Sequence, residues 1–364
     1  MRRPDAAIKR LRRLWRGSTF PVHIAGKGLR AEADLTMHRL FGAALLASAL
    51  SCSPAALAQE AMVGIDAGPN SFLYGSLMRP DVAVPAPYVL IVPGSGPTDR
   101  NGNSTSAELK PNTYMLLAEA LAAHGIGSLR TDTRGVGGSA AAMGPESDLR
   151  LDTYVDDTIQ WVKFLQAQPQ VKCVVILGHS EGALIAALAA QKVKTCGVIE
   201  VAGAGRPAGD LIAGQLKTAK DAGKLSDETY DLAMHILGEI RAGRPVADVP
   251  LSLASLFRPS VQPYLMSWLN IDPVEAEKGL NPLMVMQGDH DIQVGIEDAR
   301  SLANVSRAIR LVVLPGVNHV LKIAPAEREA NLATYADPKL ALAPDVVPAI
   351  VNFIEHPPQV LLKR

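Results

Sequence analysis

The residues Gly178-His179-Ser180-Glu181-Gly182 separate two apolar runs of different character. The run "VVIL" before them is rich in β-branched residues, whereas the run "ALIAALAA" after them is rich in alanine and leucine. This change predicts a buried strand that turns sharply into a helix, with Ser180 exposed at the turn and glycines on both sides to relieve crowding. A G-x-S-x-G match arises by chance in roughly one in ten chains of this length. The rest of the chain must therefore decide whether Ser180 is a nucleophile.

A serine hydroxyl becomes a good nucleophile only when a base removes its proton and an acid orients that base. Candidates follow in the chain, because Asp289 and Asp291 end the apolar run "LMVMQG" and His319 follows the run "RLVVL". The order Ser, Asp, His is the one that a strand-turn-helix nucleophile requires. We expect Asp291 to be the acid, because a turn after Gly288 can direct its carboxylate toward His319. We expect Asp289 to brace the same loop.

Acyl transfer at a serine also needs two N–H donors for the oxygen that becomes negatively charged. One donor would be the backbone N–H of Glu181, at the start of the predicted helix. The other would lie in the glycine-rich turn "PGSGPTDRNGN" (93–103), which follows an earlier strand-like run. We assign the backbone N–H of Ser95 as this second donor.

Strand-like and helix-like runs alternate along the chain, which predicts a mostly parallel sheet with helices on both faces. The strand-like runs begin near residues 88, 126, 173, 197, 282 and 310. Residues 206–280 interrupt the alternation with helical patterns only, and we expect them to form a lid over the site. The predicted domains are a first core part at 59–205, the helical lid at 206–280 and a second core part at 281–364.

The first 58 residues are basic, with ten Lys or Arg against three Asp or Glu. From Met37 they are typical of a secretory signal, with a charged start, a short apolar segment at 40–50 and a small-x-small ending at Ala58. We expect translation to start at Met37 and cleavage to follow Ala58, which gives an exported, periplasmic or secreted protein without a stable membrane span. A separate role for residues 1–36 as a basic leader stays open.

Residues 59–364 carry 26 basic and 33 acidic side chains, the wrong sign for a nucleic acid partner. Cysteine and histidine nowhere show metal-ligand spacing, so we expect neither a metal nor a cofactor, and a small acyl compound as the substrate. Cys173 and Cys196 each begin a strand-like run. A disulfide between them and two buried free thiols are both open interpretations.

Taken together, "PGSGPTDRNGN", "LRTDTRGVGGS", "LGHSEGALIA", "GDHDIQV" and "GVNHVLK" resemble the α/β-hydrolase superfamily. More narrowly, they are similar to exported bacterial esterases of the serine-aminopeptidase-like clade. The resemblance covers most of residues 70–325 and implies an α/β-hydrolase fold with a helical lid insertion. It also implies a catalytic triad of Ser180, Asp291 and His319.

The resemblance suggests further that Asp132 and Arg134 organise the loop beside the site. It implies cleavage of carboxylic esters through an acyl-enzyme intermediate. The alternatives are an exported aminopeptidase or a thioesterase on the same triad, or a non-catalytic binding protein on a hydrolase scaffold. The charge of Glu181 beside the nucleophile has two interpretations: it recognises a cationic group, or it pairs with Arg134 or Arg100.

Overall fold

An eight-stranded sheet organises residues 58–104 and 109–358, the part of the chain that the computed structural model describes. Its strands in chain order are β1 (Gln59–Gly68), β2 (Ser71–Arg79), β3 (Ala86–Val92), β4 (Gly127–Thr131), β5 (Val171–His179), β6 (Gly197–Val201), β7 (Leu283–Gly288) and β8 (Arg310–Leu314). Across the sheet they lie in the order β1-β2-β4-β3-β5-β6-β7-β8. β2 is antiparallel to β1 and to β4, and the other neighbours are parallel. The predicted mostly parallel sheet is confirmed.

The burial of each strand follows its place in the sheet. β6 and β7 are buried at every residue and β3 at all but one, as expected for strands covered on both faces. β1 lies at an edge, and partly buried residues alternate with exposed ones along most of its length. The long apolar runs of the sequence are therefore the central strands.

The α-helices of the described residues are α1 (Thr113–Ala123), α2 (Leu151–Gln166), α3 (Glu181–Ala190), α4 (Ala208–Asp221), α5 (Asp227–Arg241), α6 (Leu251–Phe257), α7 (Gln262–Met266), α8 (Pro273–Ala276), α9 (Ile296–Ala303), α10 (Arg328–Ala333) and α11 (Val346–Glu355). Buried residues of α1 and α11 form one apolar core with the sheet. Buried residues of α2 and α3 form a second core with the sheet. Helices therefore cover both faces, as predicted.

Helices α4 to α8 occupy the segment between β6 and β7, and α4 to α7 share an apolar core of their own. Its most buried members include Ala233, Ile236, Leu237, Ile240, Phe257 and Leu269. This segment is the one predicted to form a lid, and that role stays a prediction. The boundaries of the predicted domains are likewise untested, and the predicted leader lies outside the described residues except for Ala58.

Among residues 58–104 and 109–358, no helix combines the length and the apolar character needed to cross a membrane.

The positions of the two cysteines follow from the sheet. Cys173 is on β5 and Cys196 directly precedes β6, and both are free thiols. Cys173 is half-buried and Cys196 is exposed, so the expectation of two buried thiols is wrong for Cys196.

Candidate active site

Ser180 is the single residue between the end of β5 and the start of α3. Its backbone has φ 58° and ψ −121°, a conformation that L-residues rarely adopt and that costs on the order of 1–3 kcal/mol. The Ser180 N–H donates a 2.8 Å hydrogen bond to the carbonyl oxygen of Val201, which fixes the turn against β6. The sharp strand-to-helix turn expected from the sequence is therefore present.

Three glycines make room for this turn, because a Cβ atom at each would collide with a neighbour. At Gly178 it would lie 2.1 Å from the carbonyl oxygen of Gly182, and at Gly182 it would lie 2.4 Å from that of Val92. At Gly94 it would lie 3.0 Å from the Cβ of Ser180. The loop after β3 therefore contacts the turn closely.

Asp291 and His319 lie at the carboxyl ends of neighbouring strands, Asp291 after β7 and His319 after β8. Nδ1 of His319 donates a 2.7 Å hydrogen bond to Oδ2 of Asp291. This bond leaves Nε2 as the basic nitrogen of a neutral imidazole. The ring of His319 also lies 4.8 Å, centroid to centroid, from that of His179, the residue before Ser180.

The environment of Asp291 favours its ionised form. Burial raises the pKa of its carboxyl group, but the neighbouring imidazole of His319 and the N–H groups of Gln293 and Val294 outweigh that effect. The pKa of Asp291 therefore lies below its ordinary value. A carboxylate held in this way can stabilise a protonated imidazole beside it.

Asp289 has a different task. Its Oδ1 accepts a 2.6 Å hydrogen bond from the N–H of Gly316, and its own N–H donates to the carbonyl oxygen of Leu314. The side chain thus connects the loop after β7 to the loop after β8. Asp291, two residues further along, is the aspartate that contacts His319.

His179 lies at the centre of a chain of hydrogen bonds that joins three parts of the site. Its Nε2 donates a 2.8 Å bond to the carbonyl oxygen of His319, which can only accept. Nδ1 must then accept the 2.8 Å bond from the hydroxyl of Tyr114 on α1. That hydroxyl in turn accepts a 3.3 Å bond from the N–H of Gly94. These bonds therefore hold the turn, the loop after β3 and the loop of His319 in fixed positions relative to one another.

His179 is neutral in this arrangement. Burial, together with the neighbouring imidazole of His319, lowers the pKa of His179 to about 3. A buried imidazole that stays uncharged is able to keep one nitrogen as donor and the other as acceptor at every physiological pH. Its role is positioning, since both nitrogens are engaged in the chain.

Two further hydrogen bonds fasten the loop of His319. The hydroxyl of Thr113 donates to the carbonyl oxygen of Val320 at 2.9 Å, and Oδ1 of Asn318 accepts from the N–H of Lys322 at 3.0 Å. Lys322 is fully buried, and its Nζ donates to the carbonyl oxygen of Leu340. The imidazole therefore stands on a loop that is tied down on both sides of it.

Ser180 and Ser95 line the same cavity, which we call the nucleophile cavity and which has a volume of about 660 Å³. The inserted segment between β6 and β7 supplies most of its apolar lining, including Leu211 and Ile212 of α4, Leu256 of α6 and Leu265 of α7. The first N–H groups of α3, beginning with that of Glu181, lack partners within the helix, as at every helix start. The structure thus brings Ser95, Ser180 and Glu181 to one cavity.

Comparison with known proteins agrees with this architecture. Residues 110–236 match the family model described as serine aminopeptidase, S33. An esterase of Pyrococcus furiosus, Pf2001, superimposes with a TM-score of 0.50 and 17% identity over 83% of this chain and 94% of its own. The chain has the α/β-hydrolase fold. The resemblance recognised in the sequence motifs is confirmed.

Among curated proteins, this chain is similar to the esterase EstD of Thermotoga maritima. The two chains are 26% identical over 254 residues, which is 68% of this chain. The match spans 58% of the length of EstD. The comparison therefore supports an esterase-like protein.

The two arginines proposed as partners of Glu181 are bound to other carboxylates. Arg134 donates bonds of 2.7 and 2.6 Å to Asp157. Arg100 is bound to Asp132 through both its backbone N–H and its guanidinium group. The pairing of Glu181 with either arginine is therefore wrong. The same contacts show Asp132 and Arg134 ordering the loop after β4.

Glu181 contacts the inserted segment instead, since its Oε1 accepts a hydrogen bond from the hydroxyl of Tyr264 on α7. Burial raises the pKa of Glu181 to about 7, although the bond from Tyr264 acts in the opposite direction. At neutral pH the Glu181 side chain is then uncharged in a large fraction of the protein molecules. A neutral carboxyl group gives little support to the interpretation that Glu181 recognises a cation.

Sequence reasoning missed Tyr114, His179 and Tyr264. The position of His179 before the nucleophile was visible in the motif, but nothing in the sequence showed which atoms its ring would meet. Tyr114 and Tyr264 lie on helices separated from Ser180 by long stretches of chain. Their roles depend on tertiary contacts that no local pattern encodes.

Proposed function

We propose that the protein is a serine hydrolase that cleaves carboxylic esters through an acyl-enzyme intermediate. The observation that carries the proposal is the hydrogen bond between His319 and Asp291 beside the strained turn of Ser180. A strained serine conformation and an oriented imidazole are both needed for nucleophilic catalysis, and neither is needed for a folded sheet.

In the proposed reaction, Nε2 of His319 takes the proton of the Ser180 hydroxyl while Oγ attacks the ester carbonyl carbon. The carbonyl oxygen becomes negatively charged and accepts hydrogen bonds from the N–H groups of Ser95 and Glu181. Collapse of the tetrahedral intermediate breaks the bond to the alcohol, which leaves with the proton from His319. Asp291 stabilises the imidazolium in the meantime.

The second half of the reaction repeats these steps with water. His319 accepts a proton from water, whose oxygen attacks the acyl carbonyl, and the same two N–H groups stabilise the oxyanion. The carboxylic acid is released as Ser180 regains its proton. None of the proposed steps draws on a metal or a cofactor.

The substrate that we propose is a small ester with an apolar portion. The nucleophile cavity has about 660 Å³ and aliphatic walls, within the usual size of a small-molecule site. The esterase names of EstD and Pf2001 support the same class of substrate.

Replacing Ser180 with alanine tests the proposal. We expect Ser180→Ala to fold, since it keeps a Cβ atom and the backbone bond to Val201, and to lose hydrolysis of short p-nitrophenyl esters and labelling by a fluorophosphonate. Wild-type activity that survives in the variant would refute the nucleophile. A panel that adds an aminoacyl anilide and an acyl thioester separates esterase, aminopeptidase and thioesterase, and wild-type turnover of none of them would favour a binding protein.

We also propose that the protein is exported and that its mature form begins after Ala58. The signal-like segment from Met37 supports this location. Expression of the full chain in a Gram-negative host, followed by N-terminal sequencing of the periplasmic fraction, should give Gln59 first. Recovery of the intact chain in the cytoplasm alone would contradict it.

A further inference from the structure

A second cavity of about 310 Å³ adjoins the nucleophile cavity. The two have a shared wall, formed by residues that line both of them, and the hydrogen bond from Tyr264 to Glu181 lies in that wall. The shared residues are Gly96, Pro97, Glu181, Arg258, Val261 and Tyr264. These six residues are the ones that the cavity containing Ser180 and the second cavity have in common.

The floor of the second cavity is apolar. Side chains from β2, β3, α2 and α3 supply it, and they are buried in the core beneath the sheet end. They are Leu73, Leu90, Val92, Trp161 and Ile185. Burial of a hydrocarbon group against such side chains contributes about 25 cal/mol per Å² of apolar area.

The charges around the second cavity cancel in pairs. Every charged side chain in its lining except that of Glu181 belongs to an ion pair within the described residues. The pairs are Arg134 with Asp157, Arg258 with Glu146 and Arg100 with Asp132. A charged ligand group would find no free counter-charge there, and an uncompensated buried charge is strongly unfavourable.

Glu181 has one oxygen without a partner. Oε1 accepts the bond from Tyr264, but Oε2 is buried and has no hydrogen-bond partner among the described residues. Buried polar atoms in folded proteins are nearly always satisfied, so an orphan atom on a residue that lines both cavities points to a ligand or water site. A hydroxyl group suits this atom in both of its states, because it donates to a carboxylate and accepts from a carboxylic acid.

We propose that the second cavity is a subsite of the same active site, and that it binds a neutral, mainly apolar substituent of the ester whose hydroxyl group hydrogen-bonds to Oε2 of Glu181. The inference rests on the proposed ester hydrolysis and names its substrate class. The substituent can belong either to the acyl group or to the alcohol of the ester. The two cases are therefore tested separately.

The substrates are matched pairs that differ by one hydroxyl group. The acyl arm uses p-nitrophenyl acetate, hexanoate and 6-hydroxyhexanoate, and the alcohol arm uses the monoacetates of hexanol and hexane-1,6-diol. In one arm, wild-type kcat/KM should be about tenfold higher for the hydroxylated member, as a buried hydrogen bond to a carboxyl group predicts. All rates are divided by the concentration of active sites, which is determined by titration with a fluorophosphonate.

Two variants test the subsite itself. Glu181→Leu keeps the backbone N–H and removes Oε2, so the preference for the hydroxylated member should disappear. Leu149→Trp places a larger side chain in the lining of the second cavity. The kcat/KM of the six-carbon substrate in the responsive arm, p-nitrophenyl hexanoate or hexyl acetate, should fall at least tenfold relative to that of p-nitrophenyl acetate. Leu232→Trp, at an exposed leucine of α5, is the matched control and should leave both ratios unchanged.

The outcomes separate the two proposals. Ester hydrolysis with no hydroxyl preference in either arm, or with a preference that Glu181→Leu retains, overturns the subsite and leaves the proposed function in place. The absence of hydrolysis of any ester by the wild type overturns the proposed function. The Glu181→Leu measurement decides the subsite by itself if Leu149→Trp fails to fold.

Discussion

Nε2 of His179 donates a hydrogen bond of 2.8 Å to the main-chain oxygen of His319. The residue before the nucleophile thereby holds the backbone of the residue proposed as its base. β5 and the loop after β8 are far apart in the chain. This hydrogen bond therefore helps to fix the separation of His179 and His319, which no local structure determines. The hydroxyl of Tyr114 completes the arrangement from the other side of the ring.

Tyr114→Phe should therefore lower kcat more than it raises KM. Removal of the hydroxyl leaves Nδ1 of His179 without a donor and the N–H of Gly94 without an acceptor. We expect kcat to fall about ten- to hundredfold through misplacement of His319, and the free energy of unfolding to fall by about 1–3 kcal/mol. Titration of active sites measures kcat for the folded fraction alone.

A purely structural role for Tyr114 would give a different result. The variant would then unfold at a lower temperature, while kcat per titrated site stayed at the wild-type value. Tyr230→Phe, on α5 and away from both cavities, is the control for loss of a tyrosine hydroxyl and should change neither quantity.

Asp291→Asn should be far more damaging than Asp289→Asn. Asparagine at 291 cannot stabilise the imidazolium and favours the wrong tautomer of His319, a change worth up to ~10⁴ in kcat. Asparagine at 289 keeps an oxygen for the N–H of Gly316, so kcat should stay within about tenfold of wild type. Steady-state kinetics of both variants make the comparison, and the opposite ranking would give the acid role to Asp289.

Glu200 on β6 and Glu277 after α8 form a buried pair of carboxyl groups. Burial raises the pKa of both, and the charge of Glu277 raises that of Glu200 further. The folded state then binds more protons than the unfolded state above the ordinary glutamate pKa. The free energy of unfolding should therefore fall as the pH rises from about 4.5 through neutrality.

Glu277→Gln should weaken this pH dependence. The amide carries no charge, so the variant should be more stable than wild type at pH 8 by about 1.4 kcal/mol for each unit of pKa shift that it removes. The difference should vanish near pH 4, where the pair is protonated in both states. Urea unfolding from pH 4 to 8 measures it, with the exposed Glu275→Gln as control; a constant difference across that range would contradict the linkage.

Cys173 and Cys196 should form a disulfide under oxidising conditions. Cys173 lies on β5, and Cys196 directly precedes the adjacent strand β6 and donates its N–H to the carbonyl oxygen of Val174. The interaction between the two thiols raises the pKa of Cys173 and lowers that of Cys196. The exposed Cys196 then supplies the attacking thiolate. Intact mass after treatment with oxidised glutathione should show the loss of two hydrogens, and Cys196→Ser should not; two glutathione adducts on the wild type would refute the pairing.

Much of the fold could be predicted because its central strands are continuous apolar runs and its helices have regular apolar spacing. The runs "YVLIVPG" and "PLMVMQG" lie within two residues of β3 and β7. The order of the strands could not be predicted, since β4 lies between β2 and β3 although it follows both in the chain. Local periodicity carries no information about which neighbours pair.

The candidate site divides in the same way. Ser180, Asp291 and His319 were visible because their chain order and their places after strands follow from the architecture. The partner of Glu181 was not visible, because Tyr264 lies 83 positions along the chain and the arginines nearer in sequence had acidic partners of their own. Which charged side chains pair in a folded protein depends on every other charged group that competes for the same partner.

The inserted helices α4 to α7 share a hydrophobic core that includes no residue of the sheet. They also supply much of the apolar wall of the nucleophile cavity. The hydrogen bonds that join Asp291 to His319, His319 to His179 and Ser180 to Val201 do not involve that wall, so we expect substitutions in it to leave these bonds in place. For protein engineering, we expect an exchange of the inserted helices to change which substrates the proposed esterase accepts, while Ser180, Asp291 and His319 keep their positions.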